Sequence, residues 1–145
     1  MRFTALGIFA MAILTASGLA QQPTPPATKF QQMVADAKRN VQEVPVEEVK
    51  TRLDRKEKFL LLDVREDSEW TAGHIQQAVH VSRGLLEKGI EQAAPDPNTP
   101  IVIYCHSGAR SALAAETLQK MGYKNVKSMA GGIAAWQAKT YPVEK

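Results

Sequence analysis

The chain holds a single cysteine, Cys105, and within six positions of it come His106, Ser107, Gly108, Ala109, Arg110 and Ser111, in the run CHSGARS. Those types at that spacing suit a sulfur nucleophile in an anion cradle. Gly108 lets the backbone turn tightly, so that successive N–H groups converge as a nest. Arg110 brings a permanent forked cation, and Ser107 and Ser111 bring hydroxyl donors. Thiols at helix starts or beside cations ionise more readily than free ones, so the reading expects a thiolate at Cys105. A lone cysteine is usually a buried apolar filler; its place between an apolar run and a glycine turn favours the reactive reading. An arginine at a helix start sits against the dipole, which favours function for Arg110 over an idle surface pair. His106, with His74 and His80, invites a metal reading, but no spacing resembles a zinc site. No metal is expected, and His106 is read as lending its backbone N–H, with its ring at the entrance.

The cradle needs a strand before it and a helix after it. IVIY (101–104) is a short apolar run suited to a buried strand, and Ser111 to Met121 carries Ala114, Leu118 and Met121 on one helical face, with Gly122 as its stop. Upstream, KFLLLDV (58–64) and AVHV (78–81) read as strands and EDSEWTAG as a short helix ended by Gly73. Ser82 is expected to cap a helix carrying Leu86, Ile90 and Ala93, closed by PDPNTP. Downstream, VKSM reads as a strand and AGG turns into a helix around Trp136. A helix with Val46, Val49 and Leu53 on one face follows Pro45. Another spans 30–40, where Phe30, Met33, Val34, Ala37 and Val41 mark a stripe expected to lie on the domain. Alternating strands and helices predict an α/β fold with a mainly parallel central sheet and helices on both faces. In such sheets ligands sit beyond the carboxyl ends of the strands, where Cys105 falls. There is no internal repeat.

Residues 1–20 have one basic residue, Arg2, an apolar stretch from about Ala5 to Leu14, and small residues at Gly18 and Ala20. This reads as a cleaved secretory signal peptide, the alternative being an uncleaved anchor. The expected location is therefore periplasmic or secreted. QQPTPPATK (21–29) reads as a Pro-rich tether, leaving enough chain for one domain. With 18 basic residues, one of them Arg2, against 15 acidic, the charge is too weak and too dispersed for a nucleic-acid or membrane-surface binder. In an oxidising compartment a single cysteine forms no internal bridge, which leaves a buried apolar filler or a thiol kept for its reactivity.

Three blocks in register, LLDVRE with EWTAGHIQQAVHVSRG, then CHSGARS, then GYKNVKSMAGGIAAW, resemble the single-domain rhodaneses, a family of thiosulfate-type sulfurtransferases whose loop has the form Cys-x-x-Gly-x-Arg-Ser. The resemblance covers about residues 41–143. It implies a transferase in which Cys105 takes sulfur from a small anionic donor such as thiosulfate and passes it, through a persulfide, to a thiol, cyanide or a protein acceptor, with no cofactor. It also implies that Asp63 and Arg65 support the site as an ionic network, Glu69 being the expected partner of Arg65. Trp70 and Trp136 are read as packing residues, and His74 as making a structural hydrogen bond. Two other functions share the fold. Phosphatases and arsenate reductases carry five residues between cysteine and arginine, where this chain has His106 to Ala109. A non-turnover sulfur carrier or partner-binding module would keep the same loop.

Overall fold

The computed structural model describes residues 26–145, so the expected signal peptide and all but the end of the tether lie outside the described residues. Five strands form one all-parallel sheet in the order β1-β5-β4-β2-β3: β1 (Gln42–Val44), β2 (Leu60–Asp63), β3 (Val79–His80), β4 (Ile101–Tyr104) and β5 (Val126–Met129). The helices are α1 (Lys29–Asn40), α2 (Val46–Asp54), α3 (Asp67–Ala72), α4 (Leu86–Ala93), α5 (Ala109–Lys120) and α6 (Gly132–Ala138). Among the described residues no helix is long and apolar enough to cross a membrane.

The side-chain alternation of the strands divides the core in two. Ile101 and Ile103 of β4, with Leu62 of β2, pack under α1, α4 and α5 against Ala37, Leu86, Ile90, Ala112, Ala115 and Leu118. Val102 and Tyr104, with Leu61 and Met129, pack on the other side against Val46 and Val49 of α2 and Ile133 and Trp136 of α6. All four residues of β4 are buried, as the unbroken apolar run requires of a central strand covered on both faces. Trp136 lies in the second cluster as a packing residue, its Nε1 donating to Pro142 O at 2.9 Å.

Three expectations differ in detail. The edge strand β1 is new, three residues paired with β5 just before Pro45. Ser82 makes no side-chain cap; a 3-10 turn (Arg83–Leu85) precedes α4. The stripe of α1 reaches the domain only at its carboxyl half: Ala37 and Val41 are buried, while Phe30 and Met33 are 55% and 58% exposed. The reason is where α1 crosses α5, marked by Asn40 Nδ2 donating to Glu116 Oε1 at 2.9 Å. The first turns, capped by Thr28 and Gln31, run past the edge of the core.

Candidate active site

Cys105 leaves the carboxyl end of β4 on the α5 side of the sheet and is 1% exposed. Helix α5 starts at Ala109, two residues earlier than its sequence pattern suggests, so the amides of Ala109, Arg110 and Ser111 lie in its first turn, where no carbonyl one turn back accepts them. The first N–H to find one is that of Ala112, on Gly108 O. Gly108 itself has φ +96° and donates its N–H to Cys105 Sγ at 3.1 Å. An added Cβ there would come within 3.2 Å of Gly131 N, so the position suits glycine twice over. The sulfur thus faces an amide donor and the positive end of a twelve-residue helix.

A second contact to the sulfur comes from the side. Ser111 Oγ lies 3.6 Å from Cys105 Sγ, and Ser128 Oγ donates to Ser111 Oγ at 2.9 Å. Both serines are fully buried. Sequence reasoning places Ser111 in the loop but passes over Ser128, which stands inside a strand run between Lys127 and Met129.

The other wall of the loop is the start of α6. Ile133 N donates to Cys105 O at 2.8 Å and Ala134 N donates to His106 O at 3.0 Å. Gly132, with φ +57°, lies so close that a Cβ would fall 2.4 Å from Cys105 O and 2.6 Å from His106 O. The His106 carbonyl thus joins the loop to α6, and His106 and Ser107 are both exposed at the rim.

Arg110 is already paired. Its Nη1 donates to Glu69 Oε2 at 2.7 Å and its Nη2 to Glu69 Oε1 at 2.8 Å, with Glu66 a further 4.0 Å neighbour. The Arg110 hydrogen bond, against the opposing effect of burial, holds the Glu69 carboxyl down at about 2, helped by the Glu66 N–H and the charges of Arg110 and Arg65. In return Glu69 raises the Arg110 pKa, with burial opposing, and negative charge at Cys105 adds to the rise. The guanidinium therefore acts on the sulfur through its field, with its fork occupied by Glu69.

This overturns the expected Arg65–Glu69 pair. Arg65 folds back on Asp63 instead: its Nε lies 3.0 Å from both carboxylate oxygens, its Nη2 donates to Asp63 Oδ2 at 2.7 Å and to Gly73 O at 2.8 Å, and its N–H donates to Asp63 Oδ1 at 2.9 Å. Burial works against the Arg65 charge, but the hydrogen bond and charge of Asp63 outweigh it and raise its pKa. Asp63 is in register with Tyr104, so the pair braces the face of the sheet opposite the sulfur. Burial, then the charge of Asp63, push the Tyr104 phenol far up, and its oxygen accepts from Ile75 N at 3.1 Å. His80 holds Arg65 O at 2.8 Å. Trp70 stacks on both His74 and His80, at 3.5 and 5.0 Å between ring centres, and a His74 ring nitrogen meets Trp70 O at 3.3 Å. Through Glu69 on one side and Trp70 on the other, the short α3 is tied to the loop and to the brace. Among the described residues no three His, Cys, Asp or Glu side chains are grouped to hold a metal.

The chain belongs to the rhodanese-like domain family, whose model matches residues 45–139. Among its relatives, YrkF of Bacillus subtilis, named as a sulfur carrier protein, is 38% identical over 101 residues, 70% of this chain and 54% of YrkF; the chain thus spans about half of that relative. Thiosulfate sulfurtransferase GlpE of Coxiella burnetii is 34% identical over 86 residues, 59% of this chain and 78% of GlpE. In structure the chain is similar to the polysulfide-sulfur transferase homodimer of Wolinella succinogenes, with TM-score 0.69, 30% identity, and 79% and 86% of the two chains covered. It is also similar to a Rhodopseudomonas palustris protein of unknown function, described as a possible tyrosine phosphatase, with TM-score 0.73, 28% identity, and 85% and 99% covered. Its family is thus one of sulfurtransferases and sulfur carriers.

Proposed function

We propose that the chain is an exported sulfurtransferase that moves a sulfane sulfur from a small anionic donor such as thiosulfate to a thiophilic acceptor through a persulfide on Cys105. The Cys105 thiolate attacks the outer sulfur of the donor; the new sulfur–sulfur bond forms as the old one breaks, and sulfite leaves with the bonding pair. A thiolate or cyanide then attacks the outer sulfur of the persulfide and returns Cys105 to thiolate. The protein's part is to hold negative charge on sulfur in both states, with donors fixed in advance.

The observation that carries this reading is the environment of Cys105 Sγ: the Gly108 N–H at 3.1 Å, Ser111 Oγ at 3.6 Å, and the unpaired first turn of α5. GlpE, named a thiosulfate sulfurtransferase, supports the choice of donor. The test is the intact mass of the purified protein before and after thiosulfate, and again after cyanide. A gain of one sulfur that cyanide removes is expected; no gain on a free thiol sinks the reading. Expression with the native leader also tests export, since the secreted product should lack about the first twenty residues. The likeness to YrkF favours a carrier as the second reading. A carrier would load as the transferase does but discharge slowly to free cyanide.

A further inference from the structure

We infer that Ser128 is a positioning residue for the Cys105 nucleophile, acting through Ser111 as the outer member of a two-hydroxyl relay aimed at the sulfur. Ser128 is in register with Ile103, on the face that packs against α5. There its Oγ donates to Ser111 Oγ at 2.9 Å, and Ser111 Oγ lies 3.6 Å from Cys105 Sγ. A hydroxyl has one hydrogen and two lone pairs. With Ser128 giving its hydrogen to Ser111, Ser111 keeps its own for the sulfur, and the incoming bond polarises it into a better donor. Neither serine is exposed, so bulk water does not compete for either hydroxyl.

The relay also has a direction that follows the charge on sulfur. A neutral thiol can donate its own hydrogen to Ser111, whereas a thiolate or a persulfide sulfur can only accept. Loss of the proton therefore turns Ser111 toward the sulfur, and Ser128 is the group that supports the turned state. Simple packing of β5 on α5 does not call for a hydroxyl at this position; an alanine would fill it with no polar group to satisfy. The charged groups around the sulfur are Arg110 on α5, Glu66 and Glu69 on the α3 side, and His106 when protonated in the loop itself. A change at Ser128 leaves all four in place.

This inference rests on Cys105 as the nucleophile of the proposed reaction, but its readout needs neither donor nor acceptor, so it fails separately from sulfur transfer. The experiment is a pH titration of the thiolate's ultraviolet absorbance in the native chain, Ser111→Ala, Ser128→Ala and the double variant, with Cys105→Ser as blank. Because the chain has one cysteine, the signal has one source. Both single variants are expected to move the midpoint to higher pH, Ser128→Ala by roughly half a unit. In the Ser111→Ala background, Ser128→Ala is expected to add nothing; with Ser111 present, Ser128→Thr, which keeps the hydroxyl, is expected to leave the midpoint at its native value. A Ser128→Ala midpoint equal to the native one overturns the inference, as does a shift that persists in full without Ser111. If Ser128→Ala fails to fold on thermal melting, Ser128→Val takes its place, read against Ser128→Thr, which has the same shape but keeps the hydroxyl. A shift upward is then the supporting result, and an unmoved midpoint overturns the relay.

Discussion

Each face of the sheet holds one buried polar cluster, and the two are made of opposite materials. On the α6 side, Asp63 and Arg65 form a fully charged pair that satisfies itself and one carbonyl, Gly73 O. On the α5 side, Cys105, Ser111 and Ser128 are small side chains joined only through their sulfur and hydroxyls. The difference separates two tasks. A buried ion pair holds its geometry because breaking it strands a charge, which suits a brace under the loop. The proposed reaction needs donors that can serve an anionic sulfur without neutralising it. Arg110, the loop's own cation, is already balanced by Glu69.

The sharpest break of this division is Cys105→Ser, expected to lower sulfur transfer by at least about a thousandfold while leaving the melting temperature near native; transfer close to the native rate would remove the sulfur from the reaction. Next, Asp63→Ala leaves Arg65 charged and unpaired and is expected to cost about 3–5 kcal/mol in urea unfolding, with activity per folded molecule largely kept. Loss of activity beyond the loss of folded protein would show that the brace shares in the chemistry. Gly132→Ala sets a Cβ against two backbone carbonyls and is expected to destabilise by roughly 2–3 kcal/mol. Its transfer rate should fall further than its stability, since the displaced atoms belong to the cysteine loop. The smallest effect is expected at Glu69. Its folded pKa of about 2 lies below the ordinary 4.5, so its contribution is fully present above about pH 4.5 and is lost as pH falls toward 2. Comparing unfolding of the native chain and Glu69→Gln, the gap at pH 7 should be under about 1 kcal/mol, because solvent screens the partly exposed pair, and it should close in acid. A gap that widened in acid would reverse the sign argued here.

What could be read from the sequence follows from how local each signal is. The run IVIY followed by CHSGARS displays strand, turn and nucleophile within eleven consecutive residues, and the alternation of elements around it gives the parallel sheet. β1 stays hidden because QEV is three residues long and two of them are exposed. Phe30 and Met33 fit the α1 stripe by spacing, yet spacing carries no information on where the helix leaves the core. Arg110 and Glu69 are 41 residues apart, and Ser111 and Ser128 are 17 apart. Neither pair leaves a mark in the sequence, since only the topology, with β5 beside β4 and α3 beside the loop, brings the partners together.

The lone cysteine also fixes how a cycle can end. An enzyme with a second thiol nearby can clear a loaded or oxidised sulfur by closing a bridge within itself; this chain, with one cysteine and that one buried, has no such internal exit. Each loaded molecule would keep its cargo until another molecule collects it, at a cysteine that is itself buried. In the proposed reaction the chain therefore counts sulfur atoms one at a time, and the pace at which it empties is set by whoever arrives.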